Sequence, residues 1–142
     1  MGVAPDALAK RWFDEVWNKG DESAIDRMMH PEARVHGLGG PPIQGPEQFK
    51  PFFRLFNRAL GDMKIEIERS LVQGDMCVVH CHVTARHIGP DLGGPATGLP
   101  VDFWGMTILR AKDGLIVEGW NCFDFLALYQ QIGWVRNPVL PG

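Results

Sequence analysis

The chain has no CxxC pair, no apolar run long enough to span a bilayer and no excess of basic charge. Each absence removes a class of function. Its three cysteines, Cys77, Cys81 and Cys122, fall in strand-like segments without metal-ligand spacing. They read as reduced, buried thiols, which places the protein in the cytoplasm rather than in an oxidising compartment. A formal charge of -3 over 142 residues lacks the basic footprint of a nucleic-acid binder. No membrane-spanning helix is expected. The opening MGVAPDALAKRW has no apolar core segment, so no secretory leader is expected. It also departs from a myristoylation site, because Asp6 stands where Ser or Thr is required. There is no phosphate loop, no GxGxxG and no GxSxG elbow. The paired glycines of LGGPP and LGGPA each lead into proline, not into a helix N-terminus, which argues against nucleotide binding.

What is present is enough for one core. Apolar residues make up 45% of the chain, and its length fits one domain over residues 1–142. PDALAKRWFDEVWNKGD carries Ala9, Trp12, Phe13 and Val16 at helical spacing, with Pro5 near its start and Gly20 near its end. DESAIDRMMHP reads as a second short helix, capped by Asp21 and stopped by Pro31. EARVHG is a short strand and LGGPPIQGP a loop. PEQFKPFFRLFNRAL is a third helix with a stripe of Phe49, Phe52, Phe53, Phe56 and Leu60. Pro51 is expected within about its first turn.

After Gly61 the apolar period changes to two. MKIEIERSLVQ and MCVVHCHVTARH are strands joined by a Gly-Asp turn. A long Gly/Pro loop follows. VDFWGMTILRA and LIVEGWNCF form a hairpin about KDG, and DFLALYQQIG closes the chain as a helix ended by Gly133. Helices first and an antiparallel sheet last define an α+β class, with the helices on one sheet face.

Several residues invite a functional reading. Asp124 is either the N-cap of the last helix or a carboxylate on a pocket wall. Alternation puts Ile116, Glu118, Trp120, Cys122 and Asp124 on one face if no bulge intervenes. On an apolar wall, desolvation would raise the carboxyl toward the range of a general base. His80, His82, Thr84 and Arg86 share a strand face, either as a polar row in a pocket or as a solvent-facing row. Two histidines without a third ligand do not make a metal site, and none is expected. His36 flanks a Gly-rich loop. His30 reads as a helix-end residue, and His87 as a residue that orders the long loop. Asp102 alternates with Trp104 and Met106, as a second pocket acid or a surface acid at a strand start. Trp12, Val16, Phe56, Trp104, Met106 and Trp120 are candidates for the lining of an apolar, aromatic pocket.

The chain also resembles a known family over nearly its whole length. FDEVWNKGDESAIDRMMHPEARVHG is similar to the opening helices and first strand of the SnoaL-like polyketide cyclases, and GPEQFKPFF to their third-helix start. The Thr-Gly turn, the Asp-Gly hairpin, Glu118-x-Trp120 and the later run of Asp124, Leu126, Gln131 and Gly133 carry the most specific part. The resemblance implies a cone: a curved antiparallel sheet wrapped on N-terminal helices around a blind pocket, as in ketosteroid isomerases. It implies that Asp124 is the general acid and base of an intramolecular aldol ring closure. In such a mechanism the polar residues read above, His36, His82 or His80, would stabilise the enolate oxygen. It implies no cofactor and no metal. A small hydrophobic or polyaromatic ligand and a homodimer through the sheet are expected, with Val117 and Phe123 on the dimer face. Two other activities stay open on the same fold. One is epoxide hydrolysis through Arg86, Asp102 and Asp124, although the Arg-x-Asp strand pattern it needs is absent. The other is a carrier without catalysis, in which Asp124 is only a cap.

Overall fold

The computed structural model describes residues 4–136. Helix α1, Pro5–Arg11, runs on without a break into a π-helical stretch, Trp12–Asn18. The wider turn is visible in the Lys19 N–H donating to the Asp14 carbonyl, five residues back, at 2.9 Å. Helix α2, Ser23–Met28, is shorter than its sequence pattern suggests, because strand β1, Met29–His36, already begins at Met29 and carries Pro31 within it. His30 therefore lies in β1, where its Nδ1 accepts the Glu32 N–H at 3.0 Å. Asp21 sits just ahead of α2 and accepts both the Ser23 N–H at 3.1 Å and the Ser23 hydroxyl at 2.6 Å.

Strand β2, Ile43–Gln44, is a two-residue edge inside the Gly/Pro loop. Helix α3 spans Gly45–Ala59, so Pro51 lies in its second turn rather than its first. The lost hydrogen bond is the one to the Glu47 carbonyl, and both residues are on the exposed side of the helix, where water can replace it. Phe49, Phe53 and Phe56 are buried on the other side, as their spacing predicts.

Strands β3 (Leu60–Gln73), β4 (Met76–His87), β5 (Pro100–Lys112) and β6 (Leu115–Phe123) form a continuous antiparallel meander, and α4, Phe125–Gln131, closes the described chain. The sheet order is β2-β1-β6-β5-β4-β3, with β1 parallel to β6 and every other pair antiparallel. The α+β class and the cone are as the sequence implies: one curved sheet with helices on its concave face. Among the described residues, no helix is long and apolar enough to cross a membrane.

Strict alternation decides which side chains reach the core. In β4, Cys77, Val79, Cys81 and Val83 are buried, while His80 and His82 are half-buried on the other face. In β5, Val101, Phe103, Thr107 and Leu109 point inward; Trp104, Met106 and Ile108 point outward and stay exposed. Burial pushes the Cys77 thiol up to about 11 and the Cys81 thiol up to about 12. Cys122, in contrast to its expected burial, is exposed.

One bulge sets the parity of β6. Arg110 pairs with Glu118, yet Ala111 pairs with Ile116, so β6 spends one extra residue, Val117, between them. Ile116 is inward on one side of the bulge, and Gly119, Asn121 and Phe123 are inward on the other. Glu118, Trp120, Cys122 and Asp124 are thereby turned to the convex face. The loop between β4 and β5 is tied down by His87, which is fully buried. Its Nδ1 accepts the Thr97 N–H at 3.1 Å, and its backbone exchanges bonds with Gly98 and Leu99.

Candidate functional site

The cone holds a cavity of about 90 Å³ that opens to solvent at its mouth. The π-helical stretch contributes Trp12, Phe13 and Trp17, and α3 contributes Phe49, Phe52 and Phe56. The sheet contributes the inward rows of β5 and β6. The rings brace one another: Trp12 lies 5.3 Å from Phe49, and Phe52 lies 4.8 Å from Phe56, centroid to centroid. Such contacts hold a wall in shape without ligand.

Among the described residues, Thr107 and Asn121 are the only polar side chains in that lining apart from indole N–H groups. They are cross-strand partners on β5 and β6. The Thr107 hydroxyl donates to Asn121 Oδ1 at 2.8 Å, and Asn121 Nδ2 donates to the His36 carbonyl at 3.0 Å. The second N–H of that amide has no protein partner among the described residues, so it can donate to a ligand oxygen. The end of β1 comes close enough for this bond because residue 37 is glycine. Gly37 has φ 84°, and a Cβ there would lie 1.9 Å from the Asn121 carbonyl oxygen. No ionisable side chain lines the cavity among the described residues.

The residues singled out from the sequence divide into two groups. Trp12 and Phe56 line the cavity. Val16 is fully buried in the core beside it but does not reach the lining. Asp124 lies outside the cavity. It is exposed, its Oδ1 accepts the Ala127 N–H at 3.0 Å as the N-cap of α4, and its own N–H donates to the Trp104 carbonyl. The bulge at Val117 is the physical reason for this inverted parity.

The other candidates sit on the convex face in two clusters. In the first, His36 donates through Nε2–H to Glu118 Oε2 at 2.8 Å and stacks on Trp120, with interplanar angle 15°. Arg110 lies over the same Trp120 ring. In the second, His82 Nε2 meets Asp102 Oδ1 at 2.6 Å, and His82 stacks on Trp104 with centroids 4.4 Å apart. His80 packs on that Trp104 from the next position and accepts a hydrogen bond from Arg69. Met106 lies between the clusters, half exposed. Arg86, which donates to the Gly98 carbonyl at 2.7 Å, is part of neither. No group of three or more His, Cys, Asp or Glu among the described residues is arranged to hold a metal ion.

Asn121 and Thr107 were not signalled by the sequence. A correct parity for β6 would have found Asn121, but a single-residue bulge leaves no mark in composition.

A curved sheet closed on helices around an apolar cavity, with one amide–hydroxyl pair in its wall, defines a cone fold with an internal pocket. The chain belongs to the SnoaL-like polyketide cyclase family, whose model matches residues 7–132. It is similar to a candidate SnoaL-like polyketide cyclase from Jannaschia sp. CCS1, with 27% identity, TM-score 0.83, and 94% of this chain and 93% of that chain covered. It is also similar to TsrD from Streptomyces laurentii, at 27% identity and TM-score 0.80 over 92% of this chain and 95% of the other. A candidate polyketide cyclase from Bacillus cereus ATCC 10987 is 30% identical, with TM-score 0.75 over 90% and 79% of the two chains. No functionally curated protein has a sequence that matches the chain.

Proposed function

We propose that the chain takes a small, planar, mainly apolar carbonyl compound into its cone, with Asn121 and Thr107 as the polar point that orients it. The observation that carries this reading is the unpartnered Asn121 N–H in a wall that is otherwise apolar and largely aromatic. Such a donor, fixed in advance in a water-poor site, stabilises charge developing on a carbonyl oxygen more than water does.

Family membership supports cyclase- or isomerase-type chemistry on such a compound. Aldol ring closure makes one carbon–carbon bond and moves one proton from the donor carbon to the new alkoxide, with no electron gained or lost. The wall can polarise the carbonyl that is attacked and hold the two carbons together. A carbon between two carbonyls is acidic enough to lose its proton to water, so this reading asks the wall for polarisation and positioning. Asp124 has no part in it. A second reading, a carrier that binds without turnover, is favoured by the lack of an ionisable residue in the lining. A titration with a hydroxyanthraquinone, read by quenching of Trp12 and Trp17 emission, tests binding. Chromatography after incubation with open-chain aromatic polyketide esters separates the two readings. Saturable quenching is expected, and its absence would remove both.

The partner we propose for the convex sheet face is a second copy of the chain. Trp104, Met106 and Ile108 leave an exposed apolar row along β5, at 40%, 50% and 38% exposure. This replaces Val117 and Phe123 as the dimer face, since Phe123 lines the cavity. Asp102 and Arg110 stand on that row, four residues to either side of Met106. A two-fold axis through Met106 sets Asp102 against the partner's Arg110 at both ends, so the face is complementary to itself in charge. Covering the row stabilises the pair by roughly 25 cal/mol per Å² of apolar surface.

A further inference from the structure

The two faces of the sheet are joined at the end of β1. The His36 side chain lies on the convex face, while its backbone carbonyl accepts Asn121 Nδ2 of the cavity wall at 3.0 Å. His36 with Trp120 is the last backbone pair between β1 and β6. On the other side, the pairing of β1 with β2 has already stopped at Val35. Beyond His36 the chain turns through Gly37, with φ 84°, into a largely exposed Gly/Pro loop. A strand end with one neighbour and a glycine loop behind it opens easily unless a side chain ties it down. The His36 ring supplies that tie. Its Nε2–H donates to Glu118, and it stacks on Trp120 with centroids 5.7 Å apart. Arg110 holds both partners in turn: its guanidinium lies 5.7 Å from the centre of the Trp120 ring and 3.6 Å from Glu118 Oε1. His36, Glu118, Arg110 and Trp120 thus close a ring of contacts outside the cavity, and all four are half-buried.

We infer that His36 is a positioning residue for the cavity amide: its ring, anchored on Glu118 and Trp120, fixes the carbonyl that orients Asn121. The Asn121 amide has one oxygen and two N–H bonds. Thr107 holds the oxygen at 2.8 Å, and the His36 carbonyl holds one N–H. Two fixed points set the plane of the amide, so the remaining N–H has a single direction. If the His36 carbonyl moves away, only Thr107 holds the amide, and the free N–H loses its aim. Neither His36 nor Glu118 lines the cavity. His36 therefore acts through Asn121, as an outer partner that orients an inner donor. The aim of that N–H matters only if the cone takes a ligand, so this role rests on the binding reading proposed above.

Three variants separate positioning from packing. His36→Ala removes both anchors. His36→Phe keeps a ring on Trp120 but not the bond to Glu118. His36→Gln keeps an N–H in reach of Glu118 and gives up the ring. In the unliganded protein, the Asn121 Nδ2 proton bonded to the His36 carbonyl should move upfield in His36→Ala, because its acceptor loosens. It should move less in His36→Phe and His36→Gln, which each retain one anchor. Acetophenone, with one carbonyl on one ring, should bind several-fold more weakly to His36→Ala and within about twofold of the unaltered chain to His36→Gln, the scale of a loosened hydrogen bond. Asn121 amide signals that coincide in His36→Ala and the unaltered chain would overturn the positioning role. So would a fall in melting temperature in all three variants with no movement of that amide. Where His36→Ala does not fold, His36→Phe decides by the same criterion. If the unaltered chain does not bind acetophenone, the binding reading fails, while the unliganded Asn121 shift still decides whether His36 positions the amide.

Discussion

Thr107 and Asn121 face each other across β5 and β6, joined hydroxyl to amide at 2.8 Å, inside a cavity whose remaining wall is almost entirely apolar. Thr107 fixes the amide, so the free N–H points without searching. Thr107→Val removes that fixing and leaves the shape. Asn121→Leu removes the donor and also strands the His36 carbonyl. Thr107→Val should weaken binding of a hydroxyanthraquinone several-fold, and Asn121→Leu about tenfold or more, the usual scale for a lost buried hydrogen bond. Isothermal titration of the two variants checks the order.

Asp124 is expected to matter for stability only. Asp124→Ala removes the side-chain acceptor for the Ala127 N–H and should cost about 1 kcal/mol, the common value for an N-cap. Asp124→Asn caps nearly as well and should leave the melting temperature unchanged. Neither change should alter ligand affinity. If Asp124→Asn abolished turnover while preserving binding, a role for this carboxylate in proton transfer would be restored.

The convex face gives a prediction that combines association and thiol chemistry. Cys122 pairs with Met106 at the centre of that face and is exposed in the single chain. Its labelling by iodoacetamide should slow as protein concentration rises through the association range. Cys77 and Cys81, buried and with thiols pushed up to about 11 and 12, should stay unlabelled in the native protein at every concentration. Met106→Lys should keep Cys122 fast throughout. Light scattering that shows only single chains at micromolar concentration would contradict the interface.

Asp21 supplies a test of acid stability. The Ser23 hydroxyl, and after it the Arg27 guanidinium, hold its carboxyl down to about 2. A group whose folded value is depressed stabilises the fold above its unfolded value and loses that contribution as pH falls through the folded one. The unaltered chain should therefore melt higher than Asp21→Asn at pH 5, and the gap should close between about pH 4 and pH 2. A gap that stayed constant across that window would show that the carboxylate charge plays no part.

Much of the fold is legible in the sequence because it rests on periodicity. The phenylalanine stripe of α3, the alternation of β3 to β6, the Asp-Gly hairpin and the glycine after α4 all report local physics. What is not legible is the choice of face. His80 and His82 share a parity, but nothing in the chain says whether that parity is concave. In β6 the bulge at Val117 shifts the register by one and reverses every later residue, so Asp124 and Trp120 exchange places with Asn121 and Phe123. Trp12 and Phe56 escaped this ambiguity because a helix has one apolar stripe and only one way to bury it. Met106 and Trp104 did not, because an aromatic or thioether side chain suits a cavity wall and an interface equally well.

The most direct measurement is the ¹⁵N correlation spectrum of the Asn121 side-chain amide during a titration with a hydroxyanthraquinone. The account predicts that one of the two Asn121 amide protons moves downfield in step with the tryptophan quenching, as it gains an acceptor, while signals of the His82 and Trp104 rings hold still. Saturating ligand that leaves the Asn121 amide unmoved and shifts the convex-face rings would contradict it.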